Sequence, residues 1–344
     1  MSAVPKKQYA ANKIILVSVV ILVLSIFVSF LVGRYSITPK DVFAVFYAKF
    51  SGSDCRVAEM VQSVIIKVRM PRIFASVLIG GALSSAGAVY QGLFKNPMVS
   101  PDILGASAGA GFGAAIAILL SWPFVFIQIS AFVVGIFAVG LTYFICKIVS
   151  RGKDALLILV LAGMIVSTLF SSFITLLKYV ADPYTKLPEI TYWLMGGLSA
   201  VSMDDVLMML IPFFCGMIPL FFLRWQLNAM AFGDEEAKSM GLNTDKLRIV
   251  YIVCATLLTA ASVAICGMIG WIGLVIPHLT RMLVGPNYKY LMPASFLIGG
   301  IFLLIVDNLA RTMFTMEIPL GILTSIIGAP FFVYLLMKRR KGWL

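Results

Sequence analysis

Long apolar stretches, each closed by a charge, a glycine or a proline, recur along the whole chain. Their bounds predict membrane-spanning helices near 14–33, 71–94, 103–121, 124–149, 155–180, 203–225, 246–268, 270–284, 291–312 and 319–337. The short alternating segments of a transmembrane β-barrel are absent. The bound at 268–270 is the weakest, because Gly267, Gly270, Gly273 and Pro277 interrupt a run that reads as one broken helix or two short ones. Counted as two, the spans number about ten, in a single transmembrane domain over 1–344. The first run, Ile14 to Gly33, is longer than a signal-peptide core and has no small-residue cleavage site after it, so it reads as a span. The pattern predicts an all-α polytopic membrane protein.

An even count puts both termini on one side. Lys338-Arg339-Arg340-Lys341, the N-terminal Lys6 and Lys7, and the basic stretch Lys147 to Lys153 then all mark the cytoplasm. Composition agrees: 61% hydrophobic and 12% charged residues exclude a soluble globule. The formal charge of +12 could suggest nucleic acid, but the basic residues gather at span ends, which makes the excess a feature of topology. Cys55, Cys146, Cys215, Cys254 and Cys266 form no CxxC pair, and four lie in apolar runs, so packing is favoured over metal binding or a disulfide framework. His278, the single histidine, has no Cys or carboxylate cluster near it in sequence. No catalytic or metal residues are assigned.

Against this background the polar island Gly233-Asp234-Glu235-Glu236-Ala237-Lys238-Ser239-Met240-Gly241 stands out. Acidic residues suit the positive end of a helix, Lys238 the negative end, and Gly241 a left-handed stop. The signals predict a short helix of about two turns, with Ala237 and Met240 on one side and carboxylates on the other. Asn243 or Thr244 then caps the next helix, giving a cytoplasmic helix pair between spans six and seven. A solvated loop is the alternative.

Other polar groups carry two readings each. Lys67, Arg69 and Arg72 cluster at the outer start of the second span, where Pro71 suits a first helical turn, and Arg311 closes the ninth. They anchor headgroups by snorkelling, or they form a basic face that docks an acidic partner. Arg311 also falls one helical turn after Asp307, which allows an intrahelical ion pair. Ser167, Ser171 and Thr175 recur every four residues, either bonded back to their own helix or lining a passage. Gly80 to Gly87 and Gly105 to Gly111 are small-residue runs that let helices approach closely. Between them, Lys95-Asn96-Pro97-Met98-Val99-Ser100-Pro101-Asp102 must be an extended connection because of its two prolines. No stripe of carboxylates or histidines crosses the membrane, which weakens a proton-coupled secondary transporter.

Several of these segments, taken in order, resemble one family. They are Arg69-Met70-Pro71-Arg72; Gly87 to Gln91 followed by Lys95-Asn96-Pro97-Met98; Tyr192 to Gly197; Gly233 to Gly241; Ile269 to His278; and Glu317 to Gly321 with Gly328 to Phe332. The chain is similar over almost its whole length to the permease subunits of ATP-driven (type II ABC) importers for iron-siderophores, haem and cobalamin. The resemblance implies a cell-membrane subunit that binds no cofactor and works with a second permease, identical or different. Two cytoplasmic ATPase subunits would use ATP and Mg, and an extracytoplasmic binding protein would deliver the cargo. Gly233, Asp234, Glu235, Glu236, Ala237, Met240 and Gly241 would couple to the ATPase. Arg69, Arg72 and Arg311 would dock the binding protein. Asn96, Pro97 and Met98 would form a cytoplasmic gate, with Met98 in place of a usual Leu, and Ser167, Ser171 and Thr175 would face the passage. A second gate element falls near Leu156 and Leu157, which depart from the small polar residues of the family. The implied cargo is an iron-siderophore, with haem, cobalamin or an oxyanion as alternatives.

Overall fold

The computed structural model describes residues 3–54, 57–150 and 155–338; Cys55, Arg151, Gly152, Lys153, Arg339, Arg340 and Lys341 lie outside the described residues. All regular structure among them is helical. The helices are α1 (Ala3–Leu31), α2 (Pro39–Ser51), α3 (Glu59–Ser63), α4 (Met70–Leu93), α5 (Ala106–Leu119), α6 (Phe124–Ser150), α7 (Ala155–Val180) and α8 (Lys186–Met195). There follow α9 (Met203–Phe222), α10 (Arg224–Phe232), α11 (Asp234–Ser239), α12 (Thr244–Cys266), α13 (Ile272–Val284), α14 (Tyr288–Ala310) and α15 (Leu320–Lys338). Seven helical stretches are long and apolar enough to cross a membrane, and Ala106–Leu119, Ile272–Val284 and Leu320–Tyr334 are shorter apolar helices.

Burial separates the centre of the bundle from its rim. The most apolar window of the α3–α4 stretch is 83% buried and that of α12 is 72%, against 17% for α1 and 33% for α6, α7 and α9. Every residue from Ile79 to Leu93 is buried, because the small-residue run lets α13 and α14 pack directly on α4. Gly87 shows how close the approach is. A Cβ there would lie 2.6 Å from the carbonyl carbon and 2.9 Å from the Cα of Gly273.

Two spans depart from regular helix, each for a local reason. Pro71 does not begin the second span, because helix already runs from Glu59 to Leu93. A proline ring clashes with the carbonyl four residues back, and the chain relieves the clash by widening to a π-helix over Val64–Arg69, whose Met70 cap bonds back to the Ile65 carbonyl. The second departure lies between α12 and α13, where residues 267–271 leave the helix and make two helices of the run that was ambiguous in sequence. Gly267 takes φ +70, and a Cβ there would sit 2.9 Å from the Cα of Gly196, so the kink needs glycine twice over. The Cys266 carbonyl freed at its start accepts from Gly197 N at 2.7 Å, and the neighbouring Gly196 carbonyl accepts from Leu320 N at 2.8 Å. The break thus joins the end of α8 to the start of α15.

Candidate functional site

At one end of the bundle α11 projects between α10 and α12. Three carboxylates, Asp234, Glu235 and Glu236, occupy its first turn, where the helix dipole favours them. Gly241 ends it at φ +81, with Gly241 N bonded to Lys238 O at 2.9 Å and Leu242 N to Ala237 O at 3.1 Å. Asn243, rather than Thr244, caps α12 by accepting from Lys246 N at 3.0 Å. Arg248, in the second turn of α12, pairs with Asp234 and reaches Asp245 at 3.4 Å. The short helix is therefore tied to a long span by an ion pair as well as by the chain.

The two apolar side chains of α11 do not share a face. Ala237 is wholly buried, whereas Met240 is 56% exposed beside the exposed Glu235 and Glu236. Met240 is the C-cap, one residue past the end of α11 at Ser239, and the chain turns away at the left-handed Gly241 directly after it. The surface presented is thus a carboxylate pair next to a flexible thioether. A cavity of about 700 Å³ separates Asp234, Lys238 and Arg248 from Leu156 and Leu157 at the start of α7.

The connection after α4 lies at the same end. Asn96 is exposed, Pro97 half-buried and Met98 exposed, and Asn96 Oδ1 accepts from Met98 N at 2.9 Å, which holds the turn. Pro101–Leu104 then forms a 3-10 turn that packs on α7, with the Gly105 Cβ position 3.3 Å from Ser167 Oγ. The connection and the hydroxyl-bearing helix are thereby in contact.

On α7, Ser167 is half-buried, and Ser171 and Thr175 are exposed among Leu161, Met164, Ile165, Leu169 and Leu176. Of the three, Thr175 is bonded back to its own helix, as are the neighbouring Thr168 and Ser172. Thr168 donates to Met164 O at 2.8 Å, Ser172 to Thr168 O at 2.9 Å and Thr175 to Ser171 O at 3.0 Å. What α7 displays is therefore a broad, weakly polar surface.

At the other end, the three arginines make no basic outer face. Arg69, Arg72 and Arg311 are 3%, 5% and 6% exposed. A buried cation is costly unless paired, and each is held by partners inside the bundle. Arg69 donates to the carbonyls of Phe30 and Tyr35 at the end of α1. Arg72 Nε donates to both oxygens of Asp307, at 2.7 and 3.0 Å, and its Nη1 to Glu317 at 3.0 Å. Arg311 donates to the Ser29 carbonyl and hydroxyl, each at 2.7 Å, and to Asn308, while its Nε lies 3.9 Å from Asp307. Rather than forming an exposed basic face, these guanidinium groups join α1, α4 and α14, and of that basic cluster Lys67 is the exposed member. Ser29, Asp307, Asn308 and Glu317 complete the network, and sequence reasoning found only the Asp307–Arg311 spacing.

Residues 21–338 match the FecCD transport family. A molybdate import system permease protein of Haemophilus influenzae is 38% identical, over 96% of this chain and 97% of that protein. An iron chelatin transport system permease protein of Helicobacter pylori is 39% identical, over 80% and 83%. A solved structure described as an inward-facing conformation of a metal-chelate type ABC transporter superposes with a TM-score of 0.85 at 37% identity, covering 95% of this chain and 99% of that one.

Proposed function

The chain belongs to the FecCD transport family of ABC importer permeases, and on that premise we propose that it translocates an iron chelate using work delivered through α11 by a separate ATPase. It is a multi-pass protein of the cell membrane. The seven long spans and three shorter apolar helices would make ten crossings, with both termini and α11 in the cytoplasm. Two ATPase subunits would grip the α11 surfaces of a permease pair, and a binding protein would deliver cargo at the opposite end.

The observation that carries this reading is the α11–α12 linkage. Glu235, Glu236 and Met240 face outward for a partner, while Asp234 is locked to Arg248 of a span that is itself mostly buried. A push on α11 would reach the bundle through α12 and arrive at the 267–271 break, where α8 and α15 also meet. The exposed surface of α7 suits one wall of the passage. A large chelate needs such a wide, weakly binding path, because tight sites would trap it.

The relative from Helicobacter pylori and the metal-chelate type structure favour an iron chelate. The relative from Haemophilus influenzae, matched nearly end to end, supports molybdate as a second reading. Calorimetry of the cognate binding protein against ferric chelates, haem, cobalamin and molybdate decides between them. For the mechanism, the Glu235→Lys/Glu236→Lys variant, reconstituted in vesicles with its ATPase and binding protein, is expected to lose uptake while ATP hydrolysis continues. Wild-type uptake by that variant would remove α11 from the coupling path.

A further inference from the structure

A second feature at the α11 end has no place in the transport reading: an open cavity of about 810 Å³ between the α9–α10 elbow and the turn that joins α13 to α14. Its two charged lining residues, Arg224 and Lys289, are both cations, and no carboxylate lines it. Neither forms an ion pair among the described residues, whereas Arg72, Lys186, Arg248 and Arg311 each face a carboxylate. The cations are also held in place. The Arg224 guanidinium stacks 3.9 Å from the centroid of the Phe221 ring, and the Lys289 ammonium lies 5.6 Å from that of Tyr290. Asn228 fixes the floor: its Nδ2 donates to Asn287 Oδ1 at 3.2 Å, and its Oδ1 accepts from Tyr288 N at 2.9 Å.

The position of the cavity selects the kind of anion. Phe222 is the last residue of the apolar span α9, and with Trp225 it is 75% and 60% exposed. Exposed aromatic side chains at the end of a span sit at headgroup depth, where phosphate is the abundant anion. Two unpaired cations above aromatic rings at that depth form a complementary receptor for a phosphodiester whose acyl chains continue along α9. We infer that the cavity bounded by Arg224 and Lys289 is a binding site for the headgroup of an anionic phospholipid. The inference needs only that the chain is a membrane protein, so it stands or falls separately from the coupling proposal. Because α10 runs from this cavity directly into α11, a lipid seated here braces the elbow behind the coupling surface.

Native mass spectrometry of the detergent-purified full chain, titrated with phosphatidylglycerol or phosphatidylcholine, tests the site. The wild type is expected to retain phosphatidylglycerol selectively, and Arg224→Gln/Lys289→Gln to bind it roughly 30-fold more weakly, at several-fold for each charge removed. Arg224→Lys/Lys289→Arg, which keeps both charges, is expected to restore retention and so separates a lost site from a misfolded chain. Equal retention by the wild type and the Gln variant would overturn the inference. So would complete displacement by inorganic phosphate, which would mark a free-anion site, or stoichiometric displacement by the ATPase subunit, which would mark a docking surface for protein.

Discussion

Arg72 Nε lies 2.7 Å from Asp307 Oδ1, a contact between residues 235 positions apart that joins α4 to α14 inside the bundle. Asp307 is fully buried and Arg72 is 5% exposed, so neither charge has a solvent alternative. Removing one partner leaves the other with only its secondary contact, Arg72 with Glu317 at 2.9 Å or Asp307 with Arg311 at 3.9 Å, at a cost of up to about 3–5 kcal/mol. Replacing both with apolar residues of similar volume costs far less. Arg72→Met and Asp307→Leu alone are expected to unfold at clearly lower temperature in detergent, and the double variant to recover most of the loss. A double variant as unstable as the sum of the two singles would show that the pair is not a unit.

Glycine contacts give a contrast within one protein. Gly87 abuts the backbone of Gly273, so Gly87→Ala must push α4 from α13 and is expected to destabilise by about 1–3 kcal/mol. At Gly140 in α6 a Cβ would meet nothing within 4 Å, and Gly140→Ala is expected to stabilise by about 0.5–1 kcal/mol through helix propensity alone. Thermal unfolding of the two variants side by side checks the sign of each.

These cases show what the sequence could and could not reveal. Apolar run length marked the all-helical membrane character, and dipole-matched charges with Gly241 marked a short helix at α11. Both signals are local, and local signals survive folding. Amphipathic α2 escaped notice because its Thr38–Asp41 capping box, in which Thr38 N donates to Asp41 at 2.9 Å, lies outside any apolar run. The inward turn of Arg69, Arg72 and Arg311 was illegible for a different reason. Their partners Phe30, Tyr35, Ser29 and Glu317 lie on other segments, and a basic cluster reads the same whether it faces water or a buried carboxylate. Met240 was misplaced because helical spacing was carried past the last helical residue, Ser239, to the C-cap position.

Asp182 offers a pH test outside the spans. Thr185 donates to its carboxylate from the hydroxyl at 2.7 Å and from the backbone N at 2.8 Å, and Tyr184 N donates at 3.1 Å. These bonds favour the charged form, the Thr185 hydroxyl first, and hold the carboxyl below the usual carboxylate range. The stabilisation is therefore present above about pH 4 and fades as pH falls through the lowered folded value. Amide exchange at Tyr184 and Thr185, measured relative to Asp182→Asn at each pH, should show protection that disappears only on that acid side. Loss of protection on raising the pH instead would refute the assignment.

The Arg248–Asp234 pair ties α11 to α12, and under the proposed coupling it would be the step at which movement of one becomes movement of the other. If it transmits force, weakening it should change the ratio of cargo moved to ATP consumed rather than either partner's binding. Arg248→Met leaves Asp234 half-exposed, where water can solvate it, so the fold should survive while α11 swings more freely on its own chain link. The assembled importer carrying Arg248→Met is expected to hydrolyse ATP at near the wild-type rate with uptake reduced about tenfold or more. Asp234→Asn, which keeps a hydrogen-bond acceptor for Arg248, should lose less. The decisive comparison is the charge-swapped Asp234→Arg/Arg248→Asp variant. Recovery of coupling there would assign the effect to the contact itself, whereas a deeper loss would place it in the contact between α11 and the ATPase.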